Sequence, residues 1–256
     1  MAPSVADGSS DNMSSPGLRD TSADLGIEPA ATRLGPEQPA PRIRDYEWMV
    51  IAEWRRRCQA LRDIPLEDRR RAQVLFIGDS IVEGWDDRVW NEFFEPYHPL
   101  RLGVGGDQTE NVLYRIEQGE LEHVAPKVVV LLIGTNNLGN AGDSPESTAR
   151  GVAAVVGAVR TRLPATRILL LGVLPRERAP EAELRRATLA LNHAIARLGC
   201  DPLVHFLDLG GALLAADGTI STEIMADYLH PTGEGYRRMA LAMAPVLRSL
   251  VEAVSG

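Results

Sequence analysis

Five short apolar runs, at residues 74–78, 101–104, 128–133, 167–173 and 203–207, constrain the fold of this chain more than any other feature. Val, Ile and Leu fill them with little polar interruption, as in strands covered on both faces. Longer amphipathic segments separate them. The stretch 181–198 places Leu184, Ala187, Leu191, Ile195 and Leu198 on one helical face, and 233–252 repeats the pattern. Strand alternating with helix five times implies a parallel sheet between two helical layers. The expected fold class is therefore α/β, a three-layer α/β/α sandwich around a five-stranded, mostly parallel sheet. Neither an internal repeat nor a second core is visible, and the connections are short enough for one domain.

The chain before the first strand divides in two. Residues 1–45 hold no Phe, Trp or Tyr and are rich in Ser, Pro, Ala, Gly and Asp. Such a segment buries too little apolar area to offset its ordering entropy, so a disordered tail is expected there, with a single domain over 46–256. Trp48, Ile51, Trp54, Cys58 and Leu61 then recur at helical spacing, which predicts an added N-terminal helix that ends before Pro65.

Charge and cysteine content exclude several classes of function. The formal net charge is −8, which argues against affinity drawn from nucleic-acid phosphates. The runs Arg55–Arg57 and Arg69–Arg71 read as solvated faces. Two cysteines, Cys58 and Cys200, make no disulfide framework and read as buried free thiols. No apolar run is long enough for a transmembrane segment, and no signal peptide is visible, so a cytoplasmic address is expected.

A parallel α/β sheet places function at the carboxyl ends of its strands. Gly78-Asp79-Ser80 follows the first run, Gly103-Val104-Gly105-Gly106-Asp107 the second, and Gly134-Thr135-Asn136-Asn137 the third. Asp227-Tyr228-Leu229-His230 lies beyond the fifth. Each has an ordinary reading: a helix cap at Ser80, chain turns at the glycines, loop asparagines, a surface histidine before Pro231. Their convergence on one sheet edge is harder to explain that way.

The set permits the chemistry of acyl transfer. A serine hydroxyl is a weak nucleophile until a neighbouring base takes its proton. Imidazole serves near neutrality, provided an acceptor fixes its other ring nitrogen. Asp227 lies three residues before His230, within reach across a turn. The rival pair is His205 with Asp208, but His205 falls in a predicted strand, where positions three apart point to opposite faces. An oxyanion needs donors, for which the N–H groups of Ser80 and Gly106 and the amide of Asn136 are suited.

Other motifs fail. A dinucleotide fingerprint needs a third glycine where Gln108 stands, and a nucleophile elbow needs a glycine where Val82 stands. No Walker-type sequence or cluster with metal-ligand spacing occurs.

The blocks "FIGDSIVEGW", "LGVGGDQTENVLYRI", "LLIGTNN" and "DYLHPTGEGY" together resemble those of the SGNH hydrolases, also called GDSL esterases and lipases. "GELEHVAPKVVVLLIGTNN", "LGVLPR" and "DGTIS" extend the likeness to the branch of the platelet-activating-factor acetylhydrolase Ib catalytic subunits. It covers roughly residues 70–248. Asn137, where many members carry Asp, also suits that branch. The resemblance implies a flavodoxin-like sandwich, a Ser80, His230, Asp227 triad, an oxyanion hole of Ser80, Gly106 and Asn136, and no cofactor. It also implies homodimerisation as the assembly to expect.

Ile81, Thr135 and Leu229 adjoin these residues, and such bulky neighbours are expected to crowd the acyl pocket. A small-molecule ester with a short acyl group is the expected substrate. The alternatives are a non-catalytic ligand-binding module, since strand-end glycines and helix N-termini can hold an anion, and an interaction subunit on the same fold.

Overall fold

Each of the five apolar runs is a strand: β1 Val74–Gly78, β2 Leu100–Gly103, β3 Val128–Leu132, β4 Arg167–Leu171 and β5 Val204–Leu207. They form one sheet in the order β2-β1-β3-β4-β5, with every pairing parallel. That is the flavodoxin-like order, whose switch point lies between β1 and β3. The structure, a computed structural model, describes residues 33–253.

Eight α-helices connect and cover the sheet in the described residues: α1 Ile51–Arg62, α2 Leu66–Arg71, α3 Ser80–Glu83, α4 Asp87–Phe94, α5 Thr109–Glu117, α6 Pro145–Arg162, α7 Glu183–Ile195 and α8 Gly233–Glu252. Strand alternation divides the core into two layers. Leu75, Ile77, Val129, Leu131, Ile168 and Leu170 face α1, α5, α6 and α7, where Trp54, Val112, Val155 and Leu191 pack on them. Phe76, Val128, Val130, Leu132, Leu169 and Leu171 face the opposite layer, made chiefly by α4 and α8. There Phe76, Trp85, Trp90 and Phe94 form an aromatic cluster.

Packing, not propensity, holds α8. Pro245 sits inside that helix, at a cost of about 3 kcal/mol or more. Met239, Met243 and Leu247 on the same helix are wholly buried. At about 1.5–3 kcal/mol each, their burial exceeds the proline penalty.

Several expectations change. Of the disordered tail expected over 1–45, the first 32 residues lie outside the described residues. Residues 33–45, however, are ordered. The Ala40 N–H donates to the Glu110 carbonyl, and Arg33 pairs with Asp143 at 2.6 Å and also with Glu110. Charged and backbone groups make this strap, which is why a count of apolar residues misses it. Trp48 is not on the first helix: α1 starts at Ile51, and Trp48 stands at the tip of a turn closed by Tyr46 and Met49. Cys58 is buried as expected, but Cys200 is exposed. The basic runs are not wholly solvated either. Arg69 is buried and donates to the carbonyls of Leu61 and Glu120, and Arg57 donates to the Gly103 carbonyl. Main-chain carbonyls left open at helix ends and turns draw these guanidiniums inward.

Candidate active site

β1 ends at Gly78 because the chain must turn there into α3 within a single residue. Asp79 caps that helix, its Oδ1 accepting from the Ile81 N–H at 2.9 Å. The Tyr236 hydroxyl holds the far side of the turn by donating to the Ile81 carbonyl at 2.9 Å. Gly103, paired with Gly78 across β1 and β2, lets α3 lie directly on β2; a Cβ there would collide with the Glu83 nitrogen. The result is a hydroxyl, that of Ser80, presented at the sheet edge.

His230 meets it from a turn between β5 and α8. Ser80 Oγ and His230 Nε2 are 2.9 Å apart, and His230 Nδ1 lies 2.7 Å from Asp227 Oδ2. The other carboxylate oxygen of Asp227 accepts from the His230 and Leu229 N–H groups, so one side chain fixes both the turn and the ring. Burial opposes ionisation of Asp227, but the His230 ring and these N–H groups outweigh it and hold the carboxyl below its usual range. Among the described residues the rival His205 makes no pair with an acid: its Nε2 is buried without a hydrogen bond, and Asp208 accepts instead from the Gly210 N–H.

The glycine loop after β2 completes the edge. The Gly105 N–H donates to Glu83 Oε2 and the Asp107 N–H to the Val104 carbonyl. That leaves the Gly106 N–H without an internal partner among the described residues. Gly106 has φ +71°, and a Cβ on it would collide with the Trp48 ring. Both facts demand glycine. One N–H of the Asn136 amide donates to the Asp107 carbonyl at 3.0 Å, and its oxygen accepts from Asn140. The second N–H of that amide has no partner among the described residues. Asn137 plays a different part. Wholly buried, it accepts from the Thr109 N–H and donates to Thr109, Glu110 and Asp143. An aspartate there would face two carboxylates, which accounts for the amide.

Beneath the loop, Asp107 accepts from Trp54 Nε1 at 2.6 Å and from Arg115 Nε at 2.7 Å. Burial pushes its carboxyl up to about 6 despite Arg115. Asp79, with one oxygen unpartnered among the described residues, is pushed by burial up to about 7.

A cavity of about 410 Å³ opens above Ser80, walled by Trp48, Met49, Glu83, Gly105, Asn140 and Leu229 besides Asn136 and His230. Of the three residues expected to crowd the acyl side, only Leu229 lies on this wall. Ile81 and Thr135 are 1% and 3% exposed and are absent from it. The first turn of α3 carries Ile81 into the α4/α8 core layer, and Arg176 bonds Thr135 at its hydroxyl and carbonyl. Trp48 and Met49 stand there instead. Sequence periodicity hid them by assigning Trp48 to the helix stripe. The only signal that could have found them was an aromatic-rich turn, Tyr46 to Met49, just before a helix start.

The model of the GDSL-like lipase/acylhydrolase family matches residues 76–238. The chain is 41% identical over 184 residues to platelet-activating factor acetylhydrolase IB subunit alpha1 of Bos taurus, covering 71% of this chain and 78% of that one. It is 38% identical over 185 residues to the alpha2 subunit of Gallus gallus, covering 72% and 79%. A GDSL-like lipase from Bacteroides thetaiotaomicron shares the fold, with a TM-score of 0.63 over 79% of this chain and 98% of that one at 21% identity.

Proposed function

The chain belongs to the GDSL-like lipase/acylhydrolase family, and on that premise we propose that it is a serine esterase. It cleaves short acyl esters, acetyl first, through an acyl-enzyme intermediate. One observation carries the proposal: Ser80 Oγ, His230 and Asp227 stand in an unbroken hydrogen-bonded line at 2.9 and 2.7 Å.

In this reading His230 Nε2 takes the Ser80 proton as the oxygen attacks the ester carbonyl. Asp227 holds the ring in the tautomer that presents Nε2 and stabilises the imidazolium that forms. The oxyanion is met by the N–H groups of Ser80 and Gly106 and the free N–H of Asn136, each worth about 2.7–4 kcal/mol in the transition state. Collapse expels the alcohol, which leaves with the proton from His230. Water, activated by the same imidazole, then releases the acid and restores Ser80.

Leu229, Met49 and Trp48 are apolar walls of the cavity, and in this reading they limit the acyl group to a small one. The acetylhydrolase names of the 41% and 38% identical relatives point the same way. The test is hydrolysis of a chromogenic acetyl ester by the wild type and by Ser80→Ala. Loss of turnover in the variant is expected; equal rates would end the proposal.

A further inference from the structure

Arg42 is 5% exposed and comes from the strap before α1, outside the segment matched by the family model. Its guanidinium lies among the rings of Tyr46, Trp48 and Trp54, 5.4, 5.6 and 5.9 Å from their centroids. Asp107 Oδ1 is 3.8 Å away, and Nε and Nη1 have no hydrogen-bond partner among the described residues. Burying a cation with two unpartnered nitrogens is unfavourable, and packing alone gives no reason for it. Burial lowers its pKa from the ordinary arginine value.

The one strong bond it makes is specific. Nη2 donates to the Gly105 carbonyl at 2.6 Å. That oxygen belongs to the same peptide unit as the Gly106 N–H. A charge-assisted bond at one end of an amide draws electron density toward the oxygen and makes the N–H at the other end a stronger donor. It also fixes the peptide plane. A flip of this unit, which glycine on both sides would otherwise permit, would turn a carbonyl toward the oxyanion in place of a donor.

We propose that Arg42 is a positioning residue for the oxyanion hole, polarising the Gly105–Gly106 peptide and locking its orientation. This rests on the esterase reading above. Its effect is felt only as charge develops on the carbonyl oxygen, so it belongs to the transition state rather than to substrate binding.

The experiment compares wild type with Arg42→Met, Arg42→Gln and Arg42→Lys on a chromogenic acetyl ester. Inhibition by an acetyl-type trifluoromethyl ketone, whose Ser80 adduct carries the oxyanion, is measured alongside. Removing an oxyanion donor outright lowers kcat about 10²–10³-fold. Weakening one is expected to lower it about 10–100-fold in Arg42→Met and Arg42→Gln, with KM changed by less than about threefold. Ketone affinity should fall in step with kcat, and Arg42→Lys, which keeps a charge, should recover part of the loss. Circular dichroism shows which neutral variant folds, and either one suffices. A neutral variant with kcat within about twofold of wild type, or one whose loss is confined to KM, would overturn the inference. So would Arg42→Lys recovering nothing. A wild type without Ser80-dependent hydrolysis would instead retire the esterase reading itself.

Discussion

Arg115 Nε donates to Asp107 Oδ2 at 2.7 Å, with neither side chain exposed to solvent. The same guanidinium binds Glu120 and reaches the carbonyls of Gly78 and Leu102 at the ends of β1 and β2. Asp107 directly follows Gly106, so this ion cluster ties the glycine loop to the strands that carry Ser80. Replacing Arg115 with Met would strand two carboxylates in the core. A loss of about 3–5 kcal/mol in unfolding free energy is expected, read by urea titration. A loss below about 1 kcal/mol would show that the cluster does not hold the loop.

The fold and the groups of the candidate site could be read from the chain because each leaves a local mark. Runs such as Val128–Leu132 are apolar at every position because both faces are covered, and Ser80 and Asn136 stand within a few residues of the ends of such runs, while His230, well past β5, is marked by Asp227 three places before it. What could not be read depends on distant groups. Arg42 reaches Gly105 across 63 residues, and Arg33 reaches Asp143 across 110. Nothing in the composition of residues 33–45 announces this, since the strap is held by carbonyls and ion pairs instead of an apolar stripe. The acyl-wall expectation failed at Ile81 and Thr135 for a related reason. Adjacency in sequence to a catalytic group does not say which way a side chain points at the start of a helix.

Asp79 makes stability depend on pH in a direction opposite to an ordinary ion-paired carboxylate. Its pKa is raised in the folded protein from 3.8 to about 7. Between those values the folded state holds a proton that the unfolded state has lost, so this group's contribution falls as pH rises and levels off above about 7. Asp79→Asn keeps an acceptor for the Ile81 N–H and removes the charge. The variant should melt higher than wild type at about pH 8 and equally at about pH 3.5. A variant that melts lower at about pH 8 would mean that the ionised carboxylate is stabilised by something other than the contacts described.

Turnover should depend on Asp227 through its hold on the His230 ring. Asp227 is held below its usual range, so it stays ionised through weakly acidic solution and goes on accepting from His230 Nδ1. Asp227→Asn should lower kcat on the acetyl ester by about 10²–10⁴-fold by removing the acceptor that sets the tautomer. A kcat within about twofold of wild type would exclude that role for the carboxylate.

The turn before α1 is expected to limit substrate size, because Trp48 and Met49 supply the part of the cavity wall that Ile81 and Thr135 do not. Trp48 is 54% exposed, stacks on Tyr46 at 4.8 Å and covers Gly106. Truncating it forfeits about 0.5–1.5 kcal/mol of ring stacking, too little to unfold the domain. Trp48→Ala and Met49→Ala are therefore expected to stay folded while the acyl-length preference changes. In a series from acetyl to octanoyl, wild type should fall steeply after the first members and the variants should fall more gently. Deleting the chain through Val50 should do more than widen the site: it removes Arg42 with the wall, so turnover of even the acetyl ester should drop. Identical chain-length profiles in wild type and Trp48→Ala, Met49→Ala would place the size limit elsewhere, with Leu229 the remaining apolar wall.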